Sequence, residues 1–172
     1  MKQEVLRPTD LVVALALVQE PGAGYQDLAD RLDISLSTAH QAVQRLIDAG
    51  LADEKRRAHR QALLKFLLNG VRFAFFANLG PEVRGVPTAH SAPPLSDEIV
   101  SDKQVVWPSA EGSVRGSSVA PLYPGAPGLE TRAPDLYRAL ALVDALRVGR
   151  ARERSLAAEH LERWLEAGAG KS

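Results

Sequence analysis

The sequence predicts a mainly α protein in which an irregular arm separates two helical ends. Three observations carry that expectation. Apolar residues recur at helical spacing through the first fifty residues and again beyond Asp135. Between them, from about Asn78 to Pro134, the chain is rich in proline, glycine and serine. The whole is 45% hydrophobic and 24% charged, a globular rather than disordered composition. Three units follow: 1–77, helical and ending in an apolar helix; 78–134, the arm; and 135–172, a C-terminal helical pair.

Thr9 or Asp10 suits the cap of a first helix running through Val18, and "EPGAG" stops it. Its apolar run, "LVVALALV", is too short to span a membrane, so the expectation is a core helix of a soluble, cytoplasmic protein with no membrane partner. A second helix starts near Tyr25 and buries Leu28, Ala29 and Leu32. Asp33 and Ile34 make a turn, and the Ser35 hydroxyl is placed to accept a bond from a free N–H of the next helix. That third helix runs from Leu36 to Ala49, and Gly50 supplies a left-handed stop.

The chain then passes through "LADEKRRAHRQALLKFL" almost at once into a helix with Leu63, Phe66, Leu67 and Val71 on its buried face. "VRFAFFA" reads as strand or helix alike. All four phenylalanines, Phe66, Phe73, Phe75 and Phe76, lie here and are expected in the core, with a pocket lining as the alternative. The arm holds isolated anchors, among them Leu95, Val105, Trp107 and Tyr123, and predicts an ordered, irregular segment with one short strand at "KQVVWP", with partial disorder as the alternative. Trp107 and Tyr123 are expected against the phenylalanines. Of the last two helices, one buries Leu136, Leu140, Val143 and Leu146. The other buries Leu156, Leu161, Trp164 and Leu165, after a bend at Gly149.

Several chemistries find no support. The absence of cysteine excludes disulfides, thiolate metal sites and a cysteine nucleophile. His40, His59, His90 and His160 lack ligand-like spacing, so no metal is expected. "GVPTAHSAPPLSDE" offers Thr88, His90, Ser91, Ser96 and Asp97 without a nucleophile elbow. "GSVRGSSVAP" lacks the lysine of a phosphate loop. The expectation is a non-enzyme without a cofactor. Arg147, Arg150, Arg152 and Arg154 suit either an anion or a helix-exit charge cluster.

The third helix is the informative one. Ala39, Val43, Leu46 and Ile47 would face the core, leaving Ser37, Thr38, His40, Gln41, Gln44 and Arg45 outside with no acid before Asp48. Amide side chains match the adenine edge and guanidinium the guanine edge, while short hydroxyls reach phosphates. From Ser35 to Arg72 seven basic residues face three acidic ones, although the whole chain has no formal net charge. A basic patch at this helix and its exit is the footprint of a polyanion partner.

"LADRLDISLSTAHQAVQRLIDAGL" resembles the helix-turn-helix of the winged-helix transcription regulators, the broad group that includes the MarR, IclR and ArsR families. The resemblance rests on Leu28, Ala29 and Leu32, on Ile34 and Ser35, on Ser37, Thr38, Val43 and Leu46, and on Ala49, Gly50 and Leu51. It implies an N-terminal winged helix-turn-helix whose third helix enters the major groove of double-stranded DNA. The DNA-facing set would be Ser37, Thr38, His40, Gln41, Gln44 and Arg45. Any wing must be very short, essentially "EKRRAHR", with Lys55, Arg56, Arg57 and Arg60 as phosphate contacts. The implied role is a sequence-specific regulator, by default a repressor, acting as a homodimer joined through the C-terminal helices. A second reading stays open: a winged-helix interaction module, such as an antitoxin, with the arm wrapped around a partner protein.

Overall fold

The computed structural model describes residues 1–168 and is mainly helical. Helix α1 (Pro8–Gln19) opens with proline at its first position, where the missing N–H costs nothing. Asp10 therefore works from the third helical position instead of capping, and accepts the Arg7 N–H at 2.8 Å. Residues Asp10 to Val18 are buried on every side, as a helix apolar all round requires. Helix α2 (Tyr25–Leu32) closes on Asp33 in the left-handed region, φ 55°. Helix α3 (Leu36–Asp48) is capped by Ser35, whose Oγ accepts the Thr38 N–H at 3.0 Å. Past its C-terminal end Gly50 takes φ 76°, a conformation open to glycine with little strain.

Residues 51–59 double back as a hairpin held by one bridge, Ala52 to Ala58, and by the His59 N–H donating to Leu51 O at 2.8 Å. Helix α4 (Arg60–Asn69) follows, and the chain kinks at Gly70 into the short α5 (Val71–Ala74). "VRFAFFA" is thus mostly helix and turn. The expected phenylalanine core is only half present. Phe66 and Phe75 meet edge to face at 5.8 Å and are partly buried, whereas Phe73 and Phe76 stand in solvent. These helices bury one stripe (Leu63, Leu67, Val71); Phe73 falls off that stripe and Phe76 lies past the end of α5, so both rings meet solvent.

The arm departs most from expectation. In place of one strand it holds three: β1 (Glu82–Pro87), β2 (Val105–Pro108) and β3 (Val114–Ser118). They close on one another, β1 antiparallel to both neighbours and β2 parallel to β3. Closure of so few strands forces backbones together. A Cβ on Gly85 would lie 2.0 Å from Trp107 O, so the glycines read as turn formers are packing residues. Trp107 does not join the phenylalanines; it packs edge to face on Tyr137 at 5.7 Å.

The short helix α6 (Leu129–Arg132) leads into α7 (Pro134–Val148) and α8 (Ala151–Gly168). Helix α7 is buried continuously from Ala139 to Leu146 and packs on α1, α5, α6 and α8. The three units expected from sequence therefore contribute to one hydrophobic cluster, from Leu11 to Leu165. No helix among the described residues is long and apolar enough to cross a membrane.

One polar knot sits inside this core. Asp144 accepts bonds from Thr88 Oγ1 (2.8 Å), Trp107 Nε1 (2.6 Å) and Arg147 Nη1 (2.7 Å). Arg147 also donates to the carbonyls of Phe75 (2.8 Å) and Ala120 (3.2 Å). Arg147 thus pairs with an acid of its own helix, as the charge-cluster reading of these arginines has it, and turns inward, away from any anion. Burial pushes the Asp144 carboxyl above the ordinary range, opposed by Arg147 and the two neutral donors. Asp144→Ala should cost roughly 3–5 kcal/mol, since it strands a buried guanidinium. Urea unfolding checks this, and a loss below about 1 kcal/mol would sink the assignment.

Candidate nucleic-acid interface

Helix α3 buries Ala39, Ala42, Val43 and Leu46 and turns Ser37, His40, Gln41 and Gln44 outward, with Ile47 and Thr38 half-buried. Two of the outward side chains make exposed links along the helix. Gln41 Nε2 donates to Ser37 Oγ at 3.4 Å, and Gln44 Nε2 to Asp48 Oδ1 at 3.0 Å. Both links are solvent-exposed and can be exchanged for a ligand at little cost. Thr38 is engaged in the cap, its Oγ1 2.7 Å from Ser35 Oγ.

Arg45 does not join that face. Its Nε and Nη2 each lie 2.8 Å from the two oxygens of Asp10, which is wholly buried, and only 11% of the arginine side chain is exposed. The bonds to Asp10 raise the guanidinium pKa further still. The physical reason is plain: a carboxylate inside an apolar helix must be paired, and Arg45 is the cation α3 brings to it. Arg45 thereby fixes the rotation of α3 on α1.

The hairpin is organised by Asp53. Its carboxylate accepts the N–H groups of Lys55 (2.9 Å) and Arg57 (3.0 Å) and the Arg57 Nε (2.8 Å). These bonds, the Arg57 N–H first, hold its pKa below the usual carboxylate range. Arg56, in the left-handed region at φ 57°, turns back toward the helices. It donates to Ala23 O at 2.8 Å and to Gly22 O at 3.3 Å, and lies 5.0 Å above the Tyr25 ring. The same ring stacks on His40 at 3.6 Å. Tyr25 thus ties the hairpin to α3 and sets the two surfaces side by side. Arg60 is also occupied, donating to Gly168 O at 2.7 Å.

Of the ten residues singled out from sequence, six are exposed: Ser37, His40, Gln41 and Gln44 on α3, and Lys55 and Arg57 in the hairpin, Arg57 with its Nε on Asp53. Thr38, Arg45, Arg56 and Arg60 hold structure together. Sequence reading missed Asp10, Tyr25 and Asp53. Asp10 carried a signal, an acid heading an apolar run, and so did Asp53, four residues before Arg57.

Residues 6–52 match the family described as winged helix-turn-helix DNA-binding. The N-terminal segment is a winged helix-turn-helix domain. The match covers α1 to α3 and stops inside the hairpin, at Ala52. No curated protein and no solved structure matches the chain. Among the described residues no group of acidic and histidine side chains is placed to hold a metal ion.

Arg45→Met should lower stability by about 3 kcal/mol by leaving Asp10 buried and unpaired. Pairing it with Asp10→Leu should recover most of the loss in denaturant melts. No recovery in the double variant would count against the ion pair as the cause. The hairpin carries a pH signature as well. Because Asp53 is lowered, its bonds are complete above about pH 4 and are lost as pH falls through the lowered value. The amide proton shifts of Lys55 and Arg57 should titrate together below that range; a midpoint at or above it would contradict the bonding.

Proposed function

We propose that the chain is a sequence-specific regulator of double-stranded DNA that binds as a homodimer, each copy laying α3 in the major groove. The carrying observation is the exposed face of α3, which after Leu36 is hydroxyl, amide and imidazole until Asp48, within a segment that matches a DNA-binding family. Gln41 and Gln44 read base edges, and each good bidentate pair discriminates by roughly 1–3 kcal/mol. Ser37, near the helix N-terminus, meets phosphate with help from the helix dipole. The 51–59 hairpin acts as a minimal wing from which Lys55 and Arg57 touch the backbone, while Arg56 holds it in place. Repression by occupying a promoter, in the cytoplasm, is the outcome this geometry suits.

The test is selection of bound duplexes from a randomised pool at moderate salt. Enrichment of a palindrome with half-sites about one helical turn apart is expected. Absence of any enriched sequence would overturn the proposal. Gln41→Ala should relax preference at one position per half-site without changing the melting temperature. Lys55→Ala should weaken all duplexes alike and flatten the salt dependence by about one unit. An unchanged slope would remove Lys55 from the phosphate contacts.

A further inference from the structure

We infer that Leu36, the first residue of α3, reads the C5-methyl group of a pyrimidine in the major groove, thymine and 5-methylcytosine alike. This role rests on the DNA-reading proposal and adds to it a contact of a different chemistry. Of the apolar side chains from Leu28 to Leu46, all but one are buried or, like Ile34, packed against the core; Leu36 is 45% exposed. A leucine in solvent is ordinary, but nothing local asks for one here. The cap belongs to Ser35, whose Oγ accepts the Thr38 N–H, and the positive end of the helix dipole favours acidic side chains in the first turn.

The helical period sets Leu36, His40 and Gln44 in one row, beside Ser37 and Gln41. His40, one turn on, stacks on the Tyr25 ring at 3.6 Å, which anchors the row to α2. Leu36 stands at the N-terminal end of this face, the end of a recognition helix that meets base edges. What an isobutyl group can recognise there is narrow. The apolar feature of the major-groove code is the methyl on pyrimidine C5, and the others are donors and acceptors. Set against a donor or an acceptor, leucine strips its water and returns no bond. Leu36 therefore favours a methylated pyrimidine and disfavours a bare polar edge. Gln41 follows five residues on, about 7.5 Å along the axis, or roughly two base-pair steps of ~3.4 Å. The methyl accordingly belongs about two base pairs from the base that Gln41 reads.

The experiment takes the duplex enriched by selection and measures its affinity for the full chain by fluorescence anisotropy. Each thymine is replaced in turn by deoxyuridine, which lacks only the methyl. One position in each half-site should lose roughly fourfold, the worth of one buried methyl. A 5-methylcytosine–guanine pair placed there should bind roughly fourfold tighter than cytosine–guanine, because the methyl sits on the same ring carbon. Leu36→Ala should abolish both preferences while the thermal melt stays in place. The comparisons on the natural chain need no variant, so they stand even if the alanine form folds poorly. An enriched duplex bound with indifference to every methyl overturns the inference, and so do methyl preferences that survive Leu36→Ala in a folded variant. Failure to enrich any duplex would instead sink the DNA reading itself, and the role of Leu36 with it.

Discussion

Asp144 is the constraint around which the chain is arranged. A carboxylate so enclosed is tolerable only with its donors in place, and those donors arrive from different parts of the sequence. Thr88 follows β1, Trp107 lies in β2, and Arg147 stands one turn further along α7. Through Arg147 the carbonyls of Phe75 and Ala120 are drawn to the same point. Apolar packing alone would let the arm slide over α7. Hydrogen bonds with fixed direction do not.

A second buried acid repeats the device at the other end. Asp10 lies near the head of α1 and Arg45 near the end of α3, and their two parallel bonds fix which side of α3 meets solvent. The orientation of Gln41 and Gln44 thus rests on a pair that itself touches no ligand. Tyr25 completes the positioning by holding the His40 ring and the Arg56 guanidinium together. Accuracy at a reading surface requires such support from beneath.

The sequence made the helical ends legible because their signals are local. The Ser35 cap, the Gly50 stop and the 3.6-residue period from Leu28 to Leu46 each depend on residues within a turn or two. The arm was illegible for the opposite reason. β1 pairs with positions 19 to 35 residues away, and glycine at 85 and 116 signals turns as readily as tight packing. For the site, periodicity sorted outward from inward positions but could not tell an arginine in solvent from one drawn to a distant buried acid. Arg45, Arg56 and Arg60 were all read as free cations, and each donates to a group at least 33 positions away.

The enclosure of α1 has a consequence for how this protein could be rebuilt or could diverge. Helix α1 packs against α2 and α3 on one side and against α7 and α8 on the other. The helix-turn-helix segment is therefore no detachable cassette. Cutting the chain after the hairpin would expose apolar residues of α1 that α7 and α8 now cover, and grafting the segment onto another protein would leave the same wound. Under the proposed function, a new target sequence would come chiefly from exchanging the few outward side chains of α3, with the scaffold beneath them kept whole.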